Sequence, residues 1–265
     1  VTMSRGEAYG TWFCADPADG PERTAERVLP LVFDLARPSS VVDLGCGTGV
    51  WLAVARRLGA ETVLGIDGEP AAGAGAGAGL CIPPDCYLQR DLGHLVRLEG
   101  RRFDLALCLG VAEHLAPVRA DSLVADLCAL SGLVLFAAAV PGQPGGEHRN
   151  GQWPPYWRDR FQRRGYTLVD CLRTRLWDDP EIEPWCAQNA YLYASAERLA
   201  GDPRLREAAA ETGRMPLTAV HPGLAALPSR AFAPPVPAPP EQRAAPARFL
   251  PTASATRRPT GPGSG

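Results

Sequence analysis

Asp43, Gly45, Gly47 and Gly49 alternate along one stretch, Val41-Val42-Asp43-Leu44-Gly45-Cys46-Gly47-Thr48-Gly49-Val50-Trp51. Alternate glycines let a backbone turn tightly and approach a ligand closely. The β-branched pair Val41-Val42 favours a buried strand before the turn. Val50, Trp51, Leu52, Val54, Ala55 and Leu58 have helical spacing after it, with Thr48 as the expected cap. A helix N-terminus behind a glycine turn attracts anionic or polar groups, so the stretch predicts a nucleotide-like ligand at the carboxyl edge of a parallel sheet. The dinucleotide spacing Gly-x-Gly-x-x-Gly is not met, because Val50 holds its third glycine position. Asp43 would repel a pyrophosphate and attract the ammonium of an amino-acid-like ligand.

Eighteen residues past Gly49, the buried run Thr62-Val63-Leu64-Gly65-Ile66 ends in Asp67-Gly68. A carboxylate at the end of a second strand is placed to accept ribose hydroxyls. Together these residues resemble motif I of the class I S-adenosylmethionine-dependent methyltransferases, Asp-x-Gly-x-Gly-x-Gly, of bacterial small-molecule type. The resemblance implies S-adenosylmethionine as cofactor, with S-adenosylhomocysteine as product. It implies cofactor contacts from Asp43, Gly45, Cys46, Gly47, Gly49, Asp67 and Gly68. Asp91 stands where the family meets the adenine amine, with the Leu92 N–H for a ring nitrogen, and Leu109 is a further expected cofactor contact. Asp91 would equally cap a helix over 93–98.

Two further runs resemble this family. Phe103-Asp104-Leu105-Ala106-Leu107-Cys108-Leu109-Gly110, followed by Ala112-Glu113-His114-Leu115, is similar to its fourth-strand region. Related quinone methyltransferases carry Glu-x-x-Glu-His there as a metal site. Gly110 stands in place of the first glutamate, so no metal is expected. Glu113 and His114 either orient the next helix or line the site. After Leu133–Val140 comes Pro141-Gly142-Gln143-Pro144-Gly145-Gly146-Glu147-His148-Arg149-Asn150-Gly151-Gln152-Trp153-Pro154-Pro155-Tyr156-Trp157. It is similar to a loop of a bacterial methyltransferase group, and loops at this edge carry function. His148 is the first choice of general base and His114 the second, with a purely structural loop histidine as the alternative. Tyr9, Trp12, Glu113, Asn150, Trp153, Tyr156 and Trp157 are the expected acceptor contacts. Arg158, Arg160, Arg163 and Arg164 are a solvated helix face, or else a clamp for an acceptor anion.

The elements that must position these groups alternate. Pro21 opens a helix with Ala25, Val28, Leu29, Leu31, Val32 and Leu35 inward, and Pro30 implies a kink or a late start. Strands follow near 41–44, 62–67, from Tyr87 to about Leu92, 103–110 and 133–140; helices follow over 120–130 and 156–164. Strands 166–169 and 190–194 form an antiparallel final pair. This order predicts an α/β fold, a Rossmann-like seven-stranded, mostly parallel sheet with helices on both faces. Residues 1–20 are expected as an aromatic flap or lid, 21–199 as the methyltransferase domain and 200–265 as a Pro/Ala-rich, largely disordered tail.

Composition bounds the rest. An apolar share of 46% suffices for a sizeable core. The formal charge is −2, without the basic field of a nucleic-acid binder. All 27 basic residues are arginine, as GC-rich bacterial coding produces. The eight cysteines form no CxxC pair and read as reduced, small apolar side chains. No cleavable signal and no run long enough to span a bilayer is visible, so a cytoplasmic location is expected. The expected acceptor is a small metabolite methylated on oxygen or nitrogen. The rivals are a cofactor-binding partner protein without turnover and an RNA methyltransferase.

Overall fold

The computed structural model describes residues 20–68 and 79–226. Helix α1 (Gly20–Ala36) buries Ala25, Val28, Leu29, Val32 and Phe33 along one stripe and runs through Pro30 as a single element. Then come β1 (Ser40–Leu44), α2 (Val50–Arg57), β2 (Thr62–Asp67), β3 (Tyr87–Gln89) and β4 (Leu105–Leu109). They are followed by α3 (Ala120–Leu130), β5 (Leu133–Ala137), α4 (Pro154–Gln162), β6 (Tyr166–Val169), α5 (Arg173–Leu176), α6 (Pro184–Asn189) and β7 (Tyr191–Ser195). Three short helices close the described chain: α7 (Ala196–Gly201), α8 (Pro203–Ala209) and α9 (Pro222–Ala225).

The seven strands form one sheet in the order β3-β2-β1-β4-β5-β7-β6. The β1–β2, β1–β4, β2–β3 and β4–β5 pairs are parallel, and β7 runs antiparallel to both β5 and β6. This is the Rossmann-like, mostly parallel seven-stranded sheet expected from the alternation. Successive residues of β1 feed opposite cores: Val41 packs with α1 and α2, whereas Val42 and Leu44 pack with α3 and α4. Burial on both faces explains why the strands read as continuous apolar runs. The order reverses between β1 and β4, so their carboxyl ends open the crevice where ligands bind in such sheets.

Several boundaries differ from the expectation. Helix α2 begins at Val50 behind a left-handed Gly49 (φ 85°), and Thr48 does not cap it. The Thr48 carbonyl instead accepts the Cys81 N–H at 2.8 Å, holding the segment that leads to β3. No helix forms over 93–98. Its backbone groups go to Arg119 and Asp126: Arg119 donates to the carbonyls of Leu92 (3.0 Å) and His94 (2.8 Å), and Asp126 accepts the Val96 N–H at 2.9 Å. Strand β5 stops at Ala137 because the next amides turn to side chains: Ala139 to Glu113 and Val140 to Gln143.

The packed body does not stop at 199. Leu205 and Leu224 are buried. The fully buried Arg173, paired with Asp170, donates to the carbonyls of Met215 and Pro216 at 3.2 Å. The expectation of a tail beginning at 200 is therefore corrected to a folded chain through 226. Its helical stretch carries few apolar residues, of which Leu205 and Ala208 are buried.

Candidate active site

The glycine stretch folds as a loop with three left-handed glycines, Gly45 (φ 88°), Gly47 (φ 54°) and Gly49 (φ 85°). Two of the three positions leave no room for a side chain. A Cβ on Gly45 would lie 2.1 Å from Val111 Cγ2, and one on Gly49 would lie 2.8 Å from Ile82. Gly47 faces open space, and its N–H donates to Asp67 Oδ2 at 2.8 Å. The two motifs that are separate in sequence, the loop and the end of β2, thus meet directly. Cys46 is buried, with its Sγ filling the space beside Gly65.

Asp43 is 2% exposed, and its Oδ1 makes no hydrogen bond. Burial, and then the Asp67 charge, push its carboxyl up to about 7. A buried oxygen without a donor is costly, so this atom is where a cationic donor from a ligand would be held. Gly68 follows Asp67 and abuts the Arg90–Asp91 backbone. Asp91 caps its own turn, accepting the Gly93 N–H at 2.8 Å, and its side chain is largely exposed. Leu92 is buried, and Leu109 is half-buried at the end of β4.

The Arg119–Asp126 clamp that holds Leu92 was not foreseen. Both side chains are almost fully buried, and Arg97 adds a 2.7 Å contact to Asp126 Oδ1. Asp126 in the middle of the apolar helix Ala120–Leu130 was the available signal. Val111, which fills the place of a Gly45 side chain, gave no signal of its own.

Beyond β4 the chain turns at Gly110 (φ 68°), and Glu113 enters the interior, 1% exposed. Its Oε1 accepts the Ala139 N–H at 3.0 Å, its carbonyl accepts the Asn150 N–H at 2.8 Å, and Oε2 has no hydrogen-bond partner. Burial lifts its carboxyl to about 7. His114 Nδ1 lies 3.2 Å from the Glu147 carbonyl. His148 stands edge-on to His114, ring centroids 5.1 Å apart at 64°. One ligand atom each from Glu113, His114 and His148 lies within 4.8 Å of the others. The loop after β5 therefore folds back onto the loop after β4, fixed by Asn150 and by the Gln152 N–H to the Ala139 carbonyl at 3.0 Å. Asn150 is buried and accepts from Gln152.

The histidine pair is perturbed. Burial lowers His114, while burial and the neighbouring His114 lower His148 to about 4. Both rings are neutral at pH 7. The value near 6.5 expected of an efficient base does not apply to His148, because the ring has lost the water that would stabilise its charged form.

The aromatic acceptor contacts divide. Trp153 is 7% exposed at the start of α4, and Tyr156 is half-buried under the Arg160 guanidinium, 3.4 Å from its ring centre. Trp157 is 2% exposed and packs on Phe136 in the core. An acceptor contact from Trp157 is corrected on this ground: no face of its ring is open. Tyr9 and Trp12 lie outside the described residues. The arginine row is tied up at home: Arg158 to Asp159, and Arg160 and Arg163 to Asp121. The seven cysteines among the described residues are free. Among those residues, no helix is long and apolar enough to cross a membrane.

Comparison with known proteins identifies the family. Residues 18–176 match the family model described as a methyltransferase domain. The ribosomal protein L11 methyltransferase of Geobacter sulfurreducens is 32% identical over 135 residues, covering 51% of this chain and 42% of that protein. The ubiquinone biosynthesis O-methyltransferase of Methylobacterium nodulans is 34% identical over 123 residues, covering 44% of this chain and 45% of that protein. The chain spans less than half the length of these two curated relatives. Among solved structures, magnesium protoporphyrin IX methyltransferase of Synechocystis PCC 6803, with bound SAH, aligns at 18% identity and TM-score 0.47. That alignment covers 67% of this chain and 84% of the other.

Proposed function

The chain belongs to the class I S-adenosylmethionine-dependent methyltransferases, and we propose that it moves a methyl group from S-adenosylmethionine to an oxygen or nitrogen of a small metabolite. One observation carries the cofactor half of this reading. A left-handed glycine loop lies open over Gly47, tied to Asp67, with the orphaned Asp43 Oδ1 buried behind it. These residues fit the group: a buried anion for an ammonium, an exposed backbone for close approach, and a carboxylate at the strand end for ribose hydroxyls. When bound, the cofactor supplies an electrophilic methyl group on a sulfonium.

The chain's own residues then do three things. Asp43, Gly45, Cys46, Gly47 and Gly49 hold the amino-acid end, while Asp67, Gly68, Asp91, Leu92 and Leu109 hold the nucleoside. Val111 packs the glycine loop against the turn that carries Glu113 and His114, so the acceptor groups are fixed relative to the cofactor. Holding two reactants in a near-attack geometry is the largest contribution such a site makes, reaching about 7–11 kcal/mol in favourable cases. Glu113, His114, His148, Asn150 and Trp153 meet the acceptor's polar group.

The two curated relatives bear names with different acceptors, a ribosomal protein and an O-methylated biosynthetic product. Likeness over half a chain therefore supports the reaction and not one acceptor. The arginines of α4, engaged with Asp159 and Asp121, favour a small acceptor over RNA. The test is calorimetric titration with S-adenosylmethionine, followed by a methyl-transfer screen of hydroxyl and amine metabolites with mass detection. Asp67→Ala should weaken cofactor binding at least tenfold. Unchanged affinity refutes the ribose role, and cofactor binding with no turnover on any acceptor favours a non-catalytic partner protein.

A further inference from the structure

We propose that Asn189 is a positioning residue for the acceptor loop: through a buried relay of side-chain amides it fixes Gln143, and Gln143 fixes which ring nitrogen of His148 presents a lone pair. The relay begins at the backbone of His221, whose N–H donates to Gln188 Oε1 at 2.7 Å. A backbone N–H can only donate, so this contact sets which end of the Gln188 amide is which. Gln188 Nε2 then donates to Asn189 Oδ1 at 3.0 Å, and Asn189 Nδ2 donates to Gln143 Oε1 at 2.8 Å. Gln143, Gln188 and Asn189 are all buried. A flip of any one amide would set two donors face to face, which is costly in a buried network.

The anchor is itself held. His221 Nε2 lies 2.7 Å from the Trp177 carbonyl, and Nδ1 accepts the Gly223 N–H at 3.0 Å. The starting donor is therefore fixed by the segment after 215, independently of the loop after β5.

The far end of the relay lies in the loop that carries His148. Gln143 closes on Val140 twice: its N–H donates to the Val140 carbonyl at 3.1 Å, and Oε1 accepts the Val140 N–H at 3.4 Å. Anchoring the side chain thus anchors the backbone. The His148 ring donates to the Gln143 backbone, and its buried Nε2 has no hydrogen-bond partner. Nδ1 then carries the proton and Nε2 the lone pair, a choice that the hydrogen bond on the other nitrogen makes. Gly145 lets the ring fold back over the loop, since a Cβ there would lie 2.6 Å from His148 Nε2. The lone pair is placed to receive a hydrogen bond from the acceptor's O–H or N–H. The relay stands independently of the reaction; its use rests on the methyl-transfer reading.

The test uses the full chain with Asn189→Leu and Asn189→Asp. The first removes both amide ends; the second keeps the bond from Gln188 and loses only the donor to Gln143, and it carries the test where the first fails to fold. Leu205→Ala, at a buried position of α8, is the destabilised control. Imidazole nitrogen NMR, with His148 identified by His148→Ala, should show the Nδ1–H tautomer in the parent and in Leu205→Ala. Both Asn189 variants should show mixed tautomers. Their kcat should fall about 10–100-fold with affinity for S-adenosylmethionine kept, whereas Leu205→Ala should lower the melting temperature and keep kcat in the folded fraction. A tautomer unchanged in both Asn189 variants, or a fall in kcat no greater than that of Leu205→Ala, overturns the proposal. No turnover by the parent on any acceptor overturns the methyl-transfer reading and not the relay, which the ring tautomer then decides.

Discussion

Binding of S-adenosylmethionine should release a proton from Asp43. In the free protein this carboxyl titrates at about 7, because burial and then the Asp67 charge oppose its ionisation. At pH 6 it is about nine-tenths protonated, at pH 7 about half, and at pH 8 about one-tenth. An ammonium placed at Oδ1 favours the ionised form and drives the pKa down. Binding should therefore release about 0.9 proton at pH 6 and about 0.1 at pH 8. Affinity should rise with pH up to 7, approaching a factor of about ten per unit at the acid end. The range 5.5–7 lies below the titration of an ordinary α-amino group, so the cofactor's own ammonium does not contribute. Calorimetry in two buffers of different ionisation enthalpy measures the release directly. Asp43→Asn should abolish it and weaken binding by about 1.5–3 kcal/mol, the worth of a hydrogen bond to a charged group. Glu113→Gln should leave it unchanged, which separates Asp43 from the other carboxyl near 7. No proton release at pH 6, or release that persists in Asp43→Asn, refutes the placement of the ammonium.

Four further outcomes follow from the same geometry. The ligand-free protein should melt higher at pH 5.5 than at pH 8. Asp43 and Glu113 have folded values near 7, above their unfolded values of 3.8 and 4.5, so the stability they add is complete below the unfolded values and is lost as pH rises through 7. A few kcal/mol are at stake, opposed in part by the depressed His148, and the double variant Asp43→Asn/Glu113→Gln should lose the gain in thermal stability toward acid pH. Gly45→Ala should cost cofactor affinity and stability together, because its Cβ meets Val111 Cγ2 at 2.1 Å and the residue is left-handed; titration and melting of one sample check both. Asp126→Ala should destabilise the fold by about 3–5 kcal/mol in denaturant titrations, since it leaves Arg119 buried and unpaired. Ending the chain after 215 should lower the melting temperature, because Leu224 and the Pro216 carbonyl bonded to Arg173 are removed.

Much of the sheet was legible because both its faces are covered. Buried parallel strands are uninterrupted apolar runs, and Val41-Val42, Leu105–Leu109 and Leu133–Ala137 announce themselves in that way. The helix Ala120–Leu130 was readable to its end residues. What failed was decided by contacts distant in sequence. The helix over 93–98 was lost to Arg119 and Asp126, some 30 positions away, while Thr48 does not cap because the helix begins at Val50 behind the left-handed Gly49. The region past 200 reads as polar and Pro-rich, yet Leu205, Leu224 and the carbonyls over Arg173 tie it down. At the site, spacing identified the carboxylates but not their surroundings. His148 reads as a base from its residue type; its burial beside His114 is a property of the folded loop.

The two halves of the site are joined by a contact that no motif contains. Gly45 belongs to the cofactor loop and Val111 to the turn after β4, two residues before Glu113. Because Gly45 lacks a Cβ, Val111 occupies the space where one would be. On the proposed function, the glycine serves the ligand through its backbone and the acceptor side through its missing side chain. Substitutions at Val111 discriminate between the two effects. Val111→Ala removes two methyl groups at a 7% exposed position, which costs at least about 1 kcal/mol by loss of burial and packing. If Val111 only fills space, stability falls and both cofactor affinity and turnover in the folded fraction are kept. If it registers the Glu113 turn against the loop, turnover falls further than cofactor affinity, because a small misplacement of the acceptor groups acts on the reacting geometry and not on cofactor binding. The geometry favours the second outcome: β1 and β4 are paired through Asp43 and Leu107, and beyond that pair Val111 touches the loop itself.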